Sequence, residues 1–166
     1  MAKYQGIKLT NPIHLLATGF GSGLSPIVPG TMGTMVGVVI WWFCLQGLSL
    51  PVYCGIVLLA GLAGIYLCDR TAKDMGVHDA GCIVWDEFVG VWITLAFIPQ
   101  SLIFGAQWQW VLVAFLLFRF FDMLKPWPIC WFDNHVHGGF GIMIDDVVAG
   151  FLAAVPMVLF SGYLTL

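Results

Sequence analysis

The placement of the charged residues constrains this chain more than any other feature of its sequence. All fifteen Asp, Glu, Lys and Arg residues fall in three groups: Lys3 with Lys8, residues 69–87, and residues 119–146. Three stretches carry no charge at all: 9–68, 88–118 and 147–166. A helix that crosses a bilayer needs roughly 20 apolar residues, so uncharged stretches of this length indicate helices that cross or enter a membrane.

The composition supports a membrane protein. Apolar residues make up 60% of the chain and charged residues 9%, against roughly 45–50% and about 25% in soluble domains. A soluble protein of this size could not bury so much apolar surface. We therefore expect one membrane-embedded domain over residues 1–166. The net charge of −3 leaves no cationic excess for nucleic acid, and no feature of the sequence indicates an oligomeric state.

Breaks within the uncharged stretches predict the number of helices. Residues 34–48 and 52–67 flank a turn around Pro51, the second stretch divides around residues 98–109, and 147–166 forms one span. The fold class is therefore all-α, a polytopic integral membrane protein with five hydrophobic helices, or four as the alternative. Short uncharged turns place the three charged groups on one side of the membrane. Because every Lys and Arg lies there, that side is expected to be cytoplasmic.

Two acidic pairs, Asp86-Glu87 and Asp145-Asp146, each precede an apolar stretch. Helix capping is one interpretation, since an acid near a helix N-terminus is stabilising. A cap requires only one acid, however, and adjacent carboxylates repel each other unless they are protonated, hydrogen-bonded or bridged by a cation. Hard oxygen ligands without a Cys/His cluster favour Mg²⁺, Ca²⁺ or Mn²⁺. The pairs are therefore candidate metal ligands, with capping as the alternative.

A third candidate segment runs from Arg119 to Pro128. Arg119 and Asp122 are three residues apart and would share a helix face, and Pro126 would end that helix. Asp122 is a candidate metal ligand, while Arg119 or Lys125 could bind a phosphate. The alternative is positive-inside flanking with one surface salt bridge.

The segment from Gly19 to Thr34 is rich in Gly, Ser, Thr and Pro and leads into a helix. Exposed N–H groups at a helix N-terminus can bind an anion, although the spacing is not that of a P-loop, and its local pattern alone favours a flexible loop. The histidines are expected to be surface loop residues, with His78 or His135 as the alternative candidates for proton transfer.

Together these segments resemble the phosphatidylglycerophosphatase A family of bacterial membrane phosphatases. The resemblance rests on residues 19–37, 85–90 (WDEFVG), 119–128 and 141–150. It implies an all-α protein of the bacterial cytoplasmic (inner) membrane. The implied reaction is the Mg²⁺-dependent removal of the terminal phosphate from the phospholipid phosphatidylglycerophosphate, which gives phosphatidylglycerol.

We assign individual roles from side-chain chemistry, given that activity. The expected Mg²⁺ ligands are Asp86, Glu87, Asp122, Asp145 and Asp146, with Asp133 as an additional candidate. The expected phosphate-binding residues are Thr31, Thr34, Arg119 and Lys125. The expected catalytic residues are Asp86, Asp122, Asp145 and Lys125. The attacking group is either water or a carboxylate, and both remain open.

Two alternatives belong to other functional classes. A small transporter subunit would place ionisable residues within its spans, and the predicted spans carry none. A non-catalytic membrane scaffold would tolerate Asp86→Asn or Asp145→Asn without loss of function.

Overall fold

The computed structural model describes residues 6–76, 81–98 and 107–164. Over these ranges the regular structure is helical, and its α-helices are α1 Pro12–Ala17, α2 Pro29–Ile40, α3 Leu50–Met75, α4 Trp85–Leu95, α5 Gln107–Leu124, α6 Ile129–His135 and α7 Gly138–Leu164. One π-helical turn, Trp41–Leu45, extends α2. Lys3, His78, Asp79 and residues 99–106 of the break predicted at 98–109 lie outside the described residues.

Three helices are long and apolar enough to cross a membrane: Leu50–Met75, Gln107–Leu124 and Gly138–Phe160. The predicted class, an all-helical polytopic membrane protein, is confirmed. All five predicted hydrophobic helices are present, but α2 with its π-turn is shorter and α4 has only 11 residues. From Glu87 to Leu95 every residue of α4 is buried, because α2, α3, α5 and α7 surround it.

The third helix is longer than the sequence predicted. Residues 52–67 were expected to be helical, with a charged loop following, but α3 runs on to Met75. Its last turns carry two ion pairs between residues four apart, Lys73 with Asp69 at 2.6 Å and Arg70 with Asp74 at 3.3 Å, a spacing that stabilises a helix. The helix ends where Gly76 takes up a left-handed conformation with φ of 68°.

The last helix also begins earlier than predicted. We expected it to start at residue 147, directly after Asp145-Asp146, but α7 starts at Gly138. The two acids therefore lie inside the helix, and the capping interpretation does not apply to them. Asp86 and Glu87, by contrast, do lie in the first turn of α4. A Cβ on Gly139 would collide with the carbonyl of Ile65, so this glycine lets α7 pack closely against α3.

Polar contacts gather the charged segments at one end of the bundle. The imidazole of His14 on α1 lies 3.1 Å from Asp74 on α3. Nearby, Asp69 of α3 accepts a hydrogen bond from the first residues of α7. Further contacts join α4 to α5, and they join Lys125, directly after α5, to α7. The charged residues of separate segments therefore meet in space.

Candidate functional site

The end of the bundle where the charged segments meet, called the polar end below, contains the carboxylate of Glu87. This residue is only 8% exposed. Its Oε2 accepts hydrogen bonds from the backbone N–H of Thr34 at 3.1 Å and from the Thr34 hydroxyl at 2.8 Å. Its Oε1 lies 3.1 Å from Nη1 of Arg119. One side chain of α4 thus connects α2 with α5.

The first turn of α2 lies directly against this ion pair. A Cβ built on Gly30 would collide with Oε1 of Glu87 and would lie 3.1 Å from both Nη1 and Nη2 of Arg119. Val28, which precedes the helix, has a φ of 49°, a left-handed conformation that is rare for a β-branched residue. Strained backbone of this kind persists only where the surrounding structure fixes it.

Burial and hydrogen bonding act in opposite directions on Glu87. The pKa of Glu87 is raised to about 8, because the increase caused by burial exceeds the decrease caused by the charge of Arg119 and the hydrogen bonds from Thr34. A buried carboxylate without such partners would be strongly destabilising. The contacts with Thr34 and Arg119 therefore allow the carboxylate of Glu87 to be buried.

Arg119 also pairs with a second acid, one helical turn further along α5. Its Nη1 lies 2.5 Å from Oδ2 of Asp122, as their spacing of three residues predicted. The Nε of Arg119 is buried and has no hydrogen-bond partner. The guanidinium therefore bridges two carboxylates, and its Nε–H donor is unused.

Lys125 occupies a similar bridging position where α5 ends. It has a φ of 43°, and its Nζ lies 3.0 Å from Oδ2 of Asp145 and 2.5 Å from Oδ1 of Asp133. Burial alone would lower the pKa of Lys125, but its hydrogen bonds to the two carboxylates outweigh burial and raise that pKa above its ordinary value. Lys125 is therefore a fixed positive charge.

Asp146, inside α7, completes an acidic cluster that consists of Asp86, Glu87, Asp122, Asp145 and Asp146. It is 4% exposed and lies close to the carboxylates of Asp122, Asp86 and Glu87. Its Oδ2 is buried without a hydrogen-bond partner, as is Oδ1 of Asp145. Buried carboxylate oxygens without partners are uncommon and require an explanation.

The donors of the acidic cluster are carboxylate oxygens, the ligands that hard divalent cations prefer. All five predicted ligands bring carboxylate oxygens to one end of the bundle, and two of these oxygens are buried and unused. Across the described ranges, no three Asp, Glu, His or Cys side chains are arranged as ligands of a single ion. Asp122 and Asp145 are instead neutralised by Arg119 and Lys125.

The predicted phosphate-binding residues differ in availability. Thr31 is partly exposed in the first turn of α2, whereas Thr34 is fully buried and its hydroxyl is directed at Glu87. Sequence reasoning missed Gly30, since nothing in the local pattern distinguishes it from neighbouring glycines. His135, a candidate for proton transfer, is exposed on α6 and stacks on Trp131.

A large apolar cavity lies elsewhere in the fold. It measures about 720 Å³ and lies between α3, α4 and α7, where Met143, Ile144 and Val147 contribute to its wall. These three residues lie on a different face of α7 from Asp145 and Asp146. The cavity is therefore separate from the acidic cluster.

Comparison with known proteins identifies relatives over most of the chain. The sequence profile of the family described as Phosphatidylglycerophosphatase A matches residues 15–161. Phosphatidylglycerophosphatase A of Escherichia coli is 57% identical over 148 residues, which cover 89% of this chain and 83% of the relative. The protein of the same name from Haemophilus influenzae is 54% identical over 149 residues, covering 90% and 88% respectively.

A more distant relative carries a different name. A putative phosphatidylinositol-3-phosphatase of Bacteroides thetaiotaomicron is 40% identical over 141 residues, which cover 82% of this chain and 85% of that protein. No solved structure shows a significant match. All the acidic and basic residues of the site fall within the matched range 15–161.

Proposed function

The chain belongs to the phosphatidylglycerophosphatase A family, and we propose that it hydrolyses the terminal phosphomonoester of phosphatidylglycerophosphate to phosphatidylglycerol and inorganic phosphate. The observation that carries this proposal is the meeting of Asp86, Asp122 and Asp146 beside the cation Arg119 at one end of a membrane-embedded bundle. A lipid phosphate lies at the membrane surface, where such a cluster can reach it.

We further propose that the reaction depends on Mg²⁺. The ligands would come from Asp86, Asp122, Asp145 and Asp146, and Glu87 would contribute less, because Thr34 and Arg119 already occupy its two oxygens. Bound Mg²⁺ would polarise the phosphoryl oxygens and stabilise the charge that develops on them. The two unused carboxylate oxygens support this proposal.

The basic residues would bind the phosphate. Arg119 and Lys125 neutralise Asp122 and Asp145 in this structure. With those carboxylates engaged in metal binding, the guanidinium and ammonium groups would turn to the phosphate, as a fork and as a point charge respectively. Thr31 and the first turn of α2 would add donors from the opposite side.

The decisive experiment measures phosphate release by purified protein in detergent, with Mg²⁺ or with EDTA. We expect release from phosphatidylglycerophosphate that EDTA abolishes, and a loss of roughly 100-fold or more in Asp145→Asn, since metal binding contributes several kcal/mol to such reactions. Asp69→Asn, outside the cluster, serves as the matched control. Phosphatidylinositol 3-phosphate serves as the competing substrate, and faster release from it would replace the proposed substrate.

We also propose that the active end faces the cytoplasm from the bacterial cytoplasmic (inner) membrane. The support is the placement of the basic residues, since Arg70, Lys73, Arg119 and Lys125 all belong to segments at that end. Lys73→Cys in a cysteine-free background should react with a membrane-impermeant maleimide only after the cells are opened. Labelling in intact cells would reverse the orientation.

A further inference from the structure

The side chain of Lys125 is held between two helices, α6 and α7. Lys125 follows the last residue of α5, and its Nζ contacts Asp133 on α6 and Asp145 on α7. The proposed metal site accounts for Asp145. It leaves open why a seven-residue helix brings a second carboxylate to the same ammonium group.

The short helix α6 is built so that Asp133 reaches this point. The N–H of Ile129 donates to the carbonyl of Pro126 at 2.7 Å, so the chain turns back immediately after Lys125. Ile129 is fully buried and anchors α6, which packs on α7. Asp133 is four residues further on and therefore lies on the same face of α6 as Ile129.

The contact with Asp133 contributes little to stability. The side chains of Lys125 and Asp133 are 33% and 42% exposed, and ion pairs this open to solvent stabilise a fold only slightly. A lysine side chain is long and flexible, so its ammonium group occupies one place only if something holds it there. Two carboxylates on separate helices do so here.

We propose that Asp133 is a positioning residue that acts through Lys125, holding its ammonium group beside Asp145, where the substrate phosphate is bound. This inference rests on the proposed function. Asp133 itself touches neither the phosphate nor the lipid. With Asp145 engaged in metal binding, Asp133 is the carboxylate that still holds Lys125. Without it, the lysine would meet the incoming phosphate less often in the correct place.

The expected signature is a change in KM. A phosphate contact made equally in the bound substrate and in the transition state affects KM and spares kcat. We expect Asp133→Asn to raise KM about ten-fold, the size of one charge-assisted contact, and to leave kcat within about two-fold of the wild type. A merely structural defect would lower the amount of active protein and hence the apparent kcat, with KM unchanged.

Three further variants make the test specific. Asp133→Glu keeps the charge on the same face of α6 and should restore KM. Asn134→Ala changes the neighbouring side chain, which bonds only within α6 to the carbonyl of Cys130, and should leave KM and kcat as they are. In a Lys125→Ala background, Asp133→Asn should add nothing, because residues that act through one contact are not additive.

The outcomes separate this inference from the proposed function. No phosphate release by folded wild-type protein removes the proposed function. Wild-type activity with an unchanged KM in Asp133→Asn overturns the role of Asp133 alone. A KM increase of equal size in the presence and absence of Lys125 does so as well, because Asp133 would then act independently of the lysine.

Discussion

The hydroxyl and the backbone N–H of Thr34 both donate to one carboxylate oxygen of Glu87, at 2.8 and 3.1 Å. Both residues are buried, and they come from helices far apart in the sequence. This pair fixes α2 against α4, and Arg119 on the other oxygen of Glu87 fixes α5 to both. The acidic cluster therefore depends on a hydrogen bond from a residue that carries no charge.

The first prediction tests that hydrogen bond. Thr34→Val keeps the shape of the side chain and removes the hydroxyl donor, leaving a buried carboxylate with one partner fewer. We expect the free energy of unfolding to fall by about 1–3 kcal/mol, measured as a lower midpoint of thermal unfolding in detergent. Thr34→Ser retains the donor and should keep most of that stability; equal losses in the two variants would contradict the role of the hydroxyl.

A second prediction concerns the glycine beside the ion pair. Gly30→Ala would drive a Cβ into Oε1 of Glu87 and against the guanidinium of Arg119, so the ion pair must shift. Because a displacement of about 1 Å can cost on the order of 100-fold in rate, we expect a large loss of phosphate release from phosphatidylglycerophosphate. Gly55→Ala on α3, where a Cβ meets nothing within 4 Å, should retain wild-type activity. Comparable activity in both variants would show that the ion pair tolerates movement.

The sequence predicted which residues belong to the cluster better than how they are arranged. Charge placement alone grouped Asp86, Asp122 and Asp146, because uncharged membrane helices force the charged segments to their ends. Pattern reasoning also placed Arg119 and Asp122 on one helix face, as the structure shows. These inferences use local spacing and solvent preference, both of which are encoded in short segments.

The remainder depends on contacts between distant segments. The start of α7 at Gly138 was missed because Asp145 and Asp146 resemble the beginning of a helix. In the structure they lie inside α7, which packs against α3 and α4. The pairing of Thr34 with Glu87 and the crowding at Gly30 have no local signature. A buried threonine and a glycine in an apolar helix have the same appearance in sequence whether they touch an acid or another apolar side chain.

A third prediction tests metal binding without relying on activity. A cation that binds only the folded protein raises its stability, by about 2.7 kcal/mol at one hundred times the dissociation constant. We expect Mg²⁺ to raise the unfolding temperature of the wild type and EDTA to reverse the increase. Asp146→Asn should lose the response, because a buried oxygen without a partner is replaced by an amide.

The control for this titration is Asp69→Asn. Asp69 pairs with Lys73 and accepts a hydrogen bond from Gly139, so it lies near the polar end but outside the cluster. Its variant should respond to Mg²⁺ as the wild type does. An undiminished increase in Asp146→Asn would mean that the cation binds elsewhere, and no increase in the wild type would contradict a Mg²⁺ site in the resting protein.

A fourth prediction concerns the crossing of α4 with α7. Asp86 belongs to α4 and Asp146 belongs to α7. At this crossing a Cβ on Gly150 would lie 2.5 Å from the carbonyl oxygen of Gly90, and the hydroxyl of Thr94 donates to the carbonyl of Gly150 at 3.1 Å. Gly150→Ala must separate the helices, and overpacking of this kind costs about 1–3 kcal/mol. Both the unfolding temperature and kcat should therefore fall.

The matched control is Gly61→Ala on α3, where a new Cβ would meet only the side chain of Val89 at an ordinary 3.8 Å. It adds the same methyl group to a membrane helix without moving a carboxylate, so stability and activity should stay near those of the wild type. If Gly150→Ala lowered stability but left kcat unchanged, the distance between α4 and α7 would not govern the reaction. The two acids would then act from helices that can move apart, and the metal ligands would have to be sought on one helix together with its loop.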